Sequence, residues 1–288
     1  MRGFEAALDV LPERMRRSAA ALGKGERETA TEIRLRCGEM LTVLLPEGER
    51  ALGSLIVQRQ DLERLMEICS SASPYAAAES LRMGFITVSG GVRIGFCGQV
   101  VAEGGAVRTI KGFSSAAVRI PREVQGCAEG LCKGHFLSTL LLSPPGGGKT
   151  TLLRDMIRCL SRAGERVALC DERGEVAALS GGRPGFDLGP STDVLSGGRK
   201  SETAMMLLRS MNPSVVAMDE ITAAADIEAC QLLCHCGVNL LATAHAASVA
   251  ELRGRPLYRE LLERRIFRRA VVISRQGAKR FYREEALC

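Results

Sequence analysis

Hydrophobic and polar residues follow two different rhythms along the chain, and the rhythm changes near residue 130. In the first part, Ile33 and Leu35 alternate with polar residues, and the apolar run Met40–Leu45 follows them. This alternation predicts the two strands of a hairpin, with Gly38 in the turn. The stretch 84–101 sets β-prone residues among closely spaced glycines. Such spacing indicates strands with tight turns or bulges.

Helical spacing of apolar residues occurs twice in the same part of the chain. From Phe4 to Leu22 it predicts one amphipathic helix. Packing of that helix on its own domain is favoured over contact with a partner or a membrane. Residues 61–69 predict a second helix with an apolar side. The mixture of strands and helices predicts a smaller α+β domain over residues 1–130.

Longer apolar runs alternate with helical stretches over the rest of the chain. The predicted strands are 136–142, 167–170, 215–218, 239–243 and 270–274. Strands of nearly continuous apolar character that alternate with helices predict a mostly parallel sheet covered on both faces. Residues 131–288 are therefore predicted to form an α/β domain, with the glycine-rich segment 181–198 as a loop inside it.

The most specific motif follows the first of these strands and opens a helix. It reads Ser143, Pro144, Pro145, Gly146, Gly147, Gly148, Lys149, Thr150 and Thr151. The N–H groups of such a loop surround phosphate, and the helix N-terminus adds the positive end of its dipole. We expect Lys149 to contact the phosphates of ATP and Thr150 to hold Mg²⁺. Ser143 replaces the usual glycine, but Pro144 favours an extended residue before it, so left-handed backbone is not required there.

Two carboxylates follow the predicted strand 215–218, at the edge where parallel strands end. We expect Asp219 to bind Mg²⁺, and Glu220 to orient and deprotonate the attacking water. The alternative is a solvated strand end. The order of the two motifs along the chain favours the catalytic interpretation.

Further polar groups follow two other predicted strands. Residues 171–175 (Asp-Glu-Arg-Gly-Glu) should reach the same edge of the sheet, where an additional glutamate could position water or metal. Alternatively, Asp171 caps the next segment while Arg173 and Glu175 form a surface pair. His245 ends another strand and could sense the γ-phosphate. The alternative there is a structural histidine.

Composition narrows the class of protein. With 288 residues, 46% of them hydrophobic and 25% charged, the chain is typical of a globular protein with two domains. No apolar stretch is long enough to cross a membrane, and the acidic N-terminus is not that of a secretory signal. Eleven cysteines without a repeating spacing indicate reduced cytosolic thiols. A zinc site is the less favoured interpretation of the group Cys230, Cys234, His235 and Cys236.

The formal charge of +6 is concentrated near the C-terminus. The basic residues there are Arg264, Arg265, Arg268, Arg269, Arg275, Lys279, Arg280 and Arg283. A nucleic-acid surface is one interpretation, and a solvated face or subunit contact is favoured over it. Three tyrosines and no tryptophan offer no evident stacking platform for single strands. Nucleic acid is therefore not an expected partner.

Together these motifs resemble the stage III sporulation protein AA family, a relative of the traffic ATPases of type II and type IV secretion. The resemblance covers nearly the whole chain and includes residues 32–38, 84–98, 143–151, 171–175, 192–195, 208–213, 219–220 and 242–246. It implies a RecA-like P-loop ATPase domain that hydrolyses ATP with Mg²⁺. It also implies a cytoplasmic homohexamer of the mother cell, bound to membrane-embedded sporulation channel proteins and thereby peripheral to the inner membrane.

The same resemblance suggests roles for further residues. Glu172 falls on an acidic box that assists catalysis in the related ATPases, and His245 on their strand-end histidine. Arginines of the N-terminal domain or of a neighbouring subunit complete such sites, and by position these are Arg93 and Arg209, with Arg173 behind them. The expected function is an ATP-hydrolysing motor of a sporulation channel. A nucleic-acid-stimulated motor and an ATP-dependent scaffold with little hydrolysis are the alternatives.

Overall fold

The computed structural model describes residues 2–70, 81, 84–104, 106–179, 181–277 and 279–287. The chain divides into two compact units. Unit 1 consists of Met1–Glu123 together with Ala178–Phe186, and unit 2 of Val124–Ala177 together with Asp187–Cys288. In the described part of the chain, no helix has the length and apolar character needed to cross a membrane.

Unit 1 is built on an antiparallel sheet. Its helices are α1 (Arg2–Val10), α2 (Glu13–Ala20), α3 (Lys24–Thr29) and α4 (Arg59–Ser70). Its strands are β1 (Glu32–Arg36), β2 (Met40–Leu45), β3 (Gly48–Ile56), β4 (Phe85–Val88), β5 (Val92–Glu103) and β6 (Ala106–Arg119), in the order β3-β2-β1-β6-β5-β4. A 3₁₀ turn, Ser89–Gly91, joins β4 to β5. The predicted hairpin is present as β1 and β2, with Gly38 at φ +86° in the turn.

The N-terminal segment forms three short helices, and the single helix predicted from its periodicity was wrong. Pro12 has extended backbone, with φ −52° and ψ 144°, and lies between α1 and α2. Proline lacks an N–H and clashes with the preceding turn, so it cannot continue a helix. The apolar side chains of Phe4, Leu11 and Met15 are nevertheless buried in the core of unit 1. The predicted packing on the chain's own domain is therefore present.

Unit 2 is an α/β layer structure. Its helices are α5 (Lys149–Arg162), α6 (Lys200–Met211), α7 (Ala224–His235), α8 (Val249–Gly254) and α9 (Pro256–Glu263). Its strands are β7 (Thr139–Ser143), β8 (Val167–Asp171), β9 (Thr192–Ser196), β10 (Val215–Met218), β11 (Asn239–His245), β12 (Arg269–Gln276) and β13 (Lys279–Ala286). The sheet order is β13-β12-β7-β11-β10-β8-β9, and all neighbours are parallel except β12 and β13.

The sheet of unit 2 is covered on both faces, as predicted. Leu140 and Leu142 of β7 belong to one buried cluster, and Leu141 between them belongs to another. Alternate side chains of a strand point to opposite faces, so each face has its own core. The carboxyl ends of β7, β8, β10 and β11 meet at one edge of this sheet.

The first predicted strand of unit 2 starts later than its apolar residues indicate. The run was predicted from residue 136, but β7 begins at Thr139. Phe136 is buried in the core without belonging to a strand. The hydroxyl of Ser138 accepts a hydrogen bond from the N–H of Leu240, and its carbonyl accepts one from Arg268. These contacts anchor the residues before β7 as a loop.

Candidate functional site

A cleft of about 410 Å³ opens in unit 2 at the carboxyl edge of its parallel strands. Its volume is within the range of small-molecule sites. It is lined by Gly146, Gly148, Lys149, Thr150, Thr151, Asp171, Glu172, Arg173, Glu175, Lys200, Asp219, Glu220, Thr222, His245 and Arg280. Most of the candidates predicted from the sequence thus lie together. Arg209 is exposed in the last turn of α6, outside this set, and Arg93 belongs to unit 1.

The glycine loop between β7 and α5 is shaped by Ser143. This residue ends β7 and pairs with His245 of β11, so its backbone is extended as expected. A Cβ atom on Gly147 would lie 1.8 Å from the Oγ of Ser143. Gly146 and Gly148 have φ of +73° and +101°, a conformation that favours glycine. The three glycines are thus required for different reasons, one by close approach and two by backbone conformation.

Lys149 is held at the centre of the cleft. Its Nζ donates to the carbonyl oxygen of Ser143 at 3.0 Å and lies 2.8 Å from Nδ1 of His245. Burial lowers the pKa of this amine, while Glu220 and Asp219 oppose the shift. An ammonium group can only donate, so we assign Nδ1 of His245 as the acceptor and Nε2 as the protonated nitrogen. Nε2 lies 3.1 Å from Oε1 of Glu220, which completes a chain from Lys149 to Glu220.

Asp219 accepts two hydroxyl hydrogen bonds. Thr243 donates to Oδ1 at 2.8 Å, and Thr150 donates to Oδ2 at 3.4 Å. Burial raises the pKa of Asp219, nearby carboxylates raise it further, and Thr243 lowers it. A carboxylate and a hydroxyl side by side are oxygen donors of the kind that Mg²⁺ prefers, so the residues fit this ion. The described residues contain no group of three His, Cys, Asp or Glu that could hold a metal alone. Mg²⁺ here would therefore also need oxygens of a ligand or of water.

Glu220 has left-handed backbone, with φ +48°. This conformation is rare for a residue with a side chain and tends to occur at functional sites. Its N–H donates to Oγ1 of Thr243 at 2.8 Å, the hydroxyl that in turn donates to Asp219. Nη1 of Arg173 lies 3.8 Å from its Oε2. Thr243 therefore fixes both acidic residues, a role that the sequence analysis did not give it.

Asp171, the last residue of β8, has a structural role at the start of the acidic segment. Buried Asp171 accepts hydrogen bonds from the N–H groups of Glu175, Val176 and Ala177 at 2.8–3.2 Å. Asp171 therefore caps the following turn, which is the first half of the predicted alternative; Arg173, which that alternative paired with Glu175, lies near Glu220. Burial raises the pKa of this carboxyl, and the three N–H groups oppose that shift.

Two cations in the cleft were not identified as site residues from the sequence. Lys200, the first residue of α6, is buried and forms an ion pair with Glu172. Nε of Arg280 on β13 lies 3.3 Å from the carbonyl oxygen of Gly147. The sequence offered for Lys200 only its position after a glycine-rich loop, and grouped Arg280 with a basic surface. Their roles depend on contacts between distant segments, which no local motif encodes.

Other basic residues near the C-terminus are paired. Arg264 pairs with Glu260, Arg269 with Glu284, and Arg283 with Glu285. Because each of these three arginines has an acidic partner, they do not form a continuous surface of unpaired positive charge. The nearby cysteine group is also divided, because Cys230 is buried while Cys234 and Cys236 are exposed.

Comparison with known proteins identifies the family of the chain. The model of the family "Sporulation stage III, protein AA" matches residues 4–281. The chain belongs to this family. It is 34% identical over 277 residues to Stage III sporulation protein AA of Bacillus subtilis (strain 168), covering 93% of this chain and 90% of that protein. The residues that match the sporulation stage III protein AA family thus span both units.

Two solved structures are similar to this family member in fold. The ATPase DotB of Legionella pneumophila has a TM-score of 0.59 at 15% identity, over 95% of this chain and 80% of its own. The pilus retraction motor PilT with bound ADP has a TM-score of 0.59 at 16% identity, over 88% and 78%. At such identities the likeness shows the fold alone. The fold is that of the RecA-like secretion ATPases, as the sequence predicted.

Proposed function

We propose that the cleft of unit 2 binds ATP with Mg²⁺ and hydrolyses it to ADP and phosphate. The observation that carries this proposal is the chain of contacts from Lys149 through His245 to Glu220, beside the glycine loop. These contacts join Lys149, the proposed phosphate-binding cation, to Glu220, the proposed general base, within one cleft. Asp219 and Thr150 add an oxygen pair suited to Mg²⁺, which when bound would neutralise charge on the phosphates.

Each residue has a definite role in this reaction. The N–H groups of the glycine loop and Nζ of Lys149 bind the phosphates, in place of the loop carbonyl that Lys149 contacts. Glu220 takes a proton from water as the water oxygen bonds to the γ-phosphorus and the bond to the bridging oxygen breaks. His245 orients the Glu220 carboxylate through Nε2–H and contacts Lys149 on its other nitrogen. Loss of the γ-phosphate at Lys149 would thereby be transmitted to Glu220 through His245.

The remaining predicted residues act on the same phosphates. Glu172, held by Lys200, assists in placing the water. Arg173 already lies in the cleft, beside Glu220. Arg93, in unit 1, would supply positive charge from its own or from a neighbouring copy; its guanidinium lies 3.9 Å from the centre of the Phe85 ring. Arg209, on α6, would supply positive charge from a neighbouring copy. An arginine contributed to the transferring phosphoryl group is worth roughly 10³–10⁵ in rate.

We propose further that the chain is the motor of a sporulation channel complex. Family membership supports the sporulation role, and the fold shared with DotB and the motor PilT supports the coupling of hydrolysis to movement. The working form in this proposal is a homohexamer in the cytoplasm of the mother cell. Membrane-embedded channel proteins would hold it at the membrane.

The experiment is phosphate release measured against protein concentration, with Mg²⁺ and ATP and with sizing of the same samples. Turnover should rise more than linearly with protein concentration as a ring forms. It should be lost in Glu220→Gln, because this variant cannot take a proton from the attacking water. Glu228→Gln, at an exposed position of α7, is the matched control and should retain turnover. ATP binding and assembly without Glu220-dependent phosphate release would favour a scaffold instead.

A further inference from the structure

The junction of helices α8 and α9 contacts the main chain at the cleft residue His245 and at Ile221, next to the cleft. The hydroxyl of buried Tyr258, in the first turn of α9, donates to the carbonyl oxygen of Ile221 at 2.8 Å. Ile221 directly follows Glu220. Arg255, which joins α8 to α9, donates from Nη1 to the carbonyl oxygen of His245 at 2.7 Å. Two side chains of one junction therefore hold the backbone at His245 and at the residue that follows Glu220.

The strained backbone of Glu220 needs this support. A left-handed conformation at a residue with a side chain persists only where the surroundings fix it. The carbonyl oxygen of Thr243 accepts the N–H of Ile221 at 2.9 Å, and Tyr258 binds the carbonyl of the same residue. Ile221 is thus held at both of its main-chain polar groups. The contact at the N–H fixes the peptide plane that follows Glu220, and the contact at the carbonyl fixes the next plane along the chain.

Tyr258 is placed where two neighbouring strands end. Burial raises the pKa of its phenol, the Glu220 carboxylate adds to the shift, and Arg255 and the backbone amide of His245 oppose it. Its hydroxyl contacts Ile221, three residues beyond the end of β10, and the nearby Arg255 contacts His245, the last residue of β11. Neither Tyr258 nor Arg255 is among the residues that line the cleft.

We propose that Tyr258 and Arg255 are positioning residues that set the geometry between the Glu220 carboxylate and the His245 imidazole. This inference rests on the proposed ATP hydrolysis. Oε1 of Glu220 and Nε2 of His245 are 3.1 Å apart, and a shift of either backbone would change the placement of the attacking water. Lys149 is also held by the carbonyl oxygen of Ser143, so its place beside the phosphate-binding loop does not rest on His245 alone. The junction therefore controls the rate of hydrolysis and leaves nucleotide affinity unchanged.

The test begins with Tyr258→Phe, which removes one hydroxyl and keeps the ring. We expect kcat to fall about tenfold, as for loss of one buried hydrogen bond, with KM and the affinity for an ATP analogue unchanged. Tyr282→Phe is the matched control, because its hydroxyl contacts Cys127 and the residue does not line the cleft. Wild-type kcat is expected there. An equal fall in both variants, or a change confined to KM, would overturn the proposal.

A double variant separates positioning from general damage. In a Glu220→Gln background, Tyr258→Phe should not lower the slow residual rate of single-turnover hydrolysis any further, because it acts through the missing carboxylate. An additive loss would show that Tyr258 acts elsewhere. Failure of the proposed function gives a different result, since Glu220→Gln alone would then retain wild-type turnover.

Arg255→Lys provides a variant that is expected to fold normally, since the Arg255 side chain is about half exposed. Lysine keeps the charge but loses the guanidinium fork that joins the His245 carbonyl to Glu251. We expect the same signature, a lower kcat at unchanged KM. Wild-type kcat in both Arg255→Lys and Tyr258→Phe would contradict the proposed role.

Discussion

Thr243 shows how much of the site depends on a single hydroxyl group. It donates to Asp219 and accepts from the N–H of Glu220, so one oxygen fixes the metal-binding candidate and the candidate base together. Burial raises the pKa of Asp219, and the crowded carboxylates around it raise it further. Crowded like charges cost stability in the free protein and become useful once a cation is bound. The individual residues of this site are therefore arranged for a charged ligand at the expense of stability.

This cost predicts that Asp219→Asn stabilises the nucleotide-free protein. Folding raises the pKa of Asp219 above the ordinary value, so the ionised carboxylate destabilises the fold at neutral pH, and the cost is relieved as pH falls through the raised pKa. We expect Tm to rise by about 2–4 °C near neutral pH, for roughly 1 kcal/mol in a protein of this size. The difference from wild type should shrink at acid pH.

Thermal denaturation at about pH 7.5 and about pH 4.5 measures this effect. Asp193→Asn, at an exposed position of β9, is the control and should change Tm little at either pH. A lower Tm for Asp219→Asn near neutral pH would contradict the prediction.

Among the elements, those with strong local signals were predictable from the sequence. Strand β10 matches its predicted bounds because a strand buried on both faces is a continuous apolar run. Strand β9 was not predicted, because it lies at the sheet edge and three of its five residues are polar. The pairing of Lys200 with Glu172 joins α6 to the end of β8, and such contacts arise only when distant segments fold together. Local sequence therefore indicated the glycine loop and the two carboxylates that line the cleft, and gave no signal for Lys200 and Arg280.

In the loop between β7 and α5, the side chain of Ser143 limits the size of residue 147, and this dependence can be tested. Gly147→Ala should weaken nucleotide binding and lower Tm, because the new Cβ would lie 1.8 Å from Oγ of Ser143. The backbone of Gly147 is not left-handed, so this clash is the main obstacle to alanine. Adding Ser143→Gly should therefore restore most of the loss. Gly130→Ala, where a Cβ meets open space, is the control.

Binding of a fluorescent ATP analogue and thermal denaturation would report on the four proteins. If the double variant binds no better than Gly147→Ala, the contact with Ser143 does not explain why residue 147 is glycine.

At the scale of the whole molecule, the two units carry different parts of the proposed machinery. Unit 2 contains the cleft with its loop, base and metal-binding candidates, and unit 1 contains Arg93. In an assembled ring, residues of one copy could serve the cleft of another. Activity would then belong to pairs of copies.

Mixing of inactive variants tests this division of roles. If Arg93 serves a neighbouring copy, Arg93→Ala and Glu220→Gln should each lack turnover alone, and a mixture should recover part of it. Some neighbouring pairs would then combine an intact arginine with an intact base. Phosphate release from the mixed and separate samples gives the answer, with Arg59→Ala, at an exposed position of α4, as an active control. No recovery on mixing would place Arg93 outside a shared site.

The segment Ala178–Phe186 belongs to unit 1 although it lies between two strands of unit 2 in the sequence. A Cβ on Gly185 would lie 2.5 Å from the backbone N of Gly91, and one on Gly91 would lie 2.8 Å from the ring of Phe186. Gly185 meets only backbone atoms of residues 90 and 91, and Gly91 has φ +77°, so a change of the opposite side chain does not make either position suitable for a larger residue. Among relatives that keep this contact, both positions should therefore remain glycine. A chimera that exchanges residues 1–123 between family members would have to carry residues 178–186 with them.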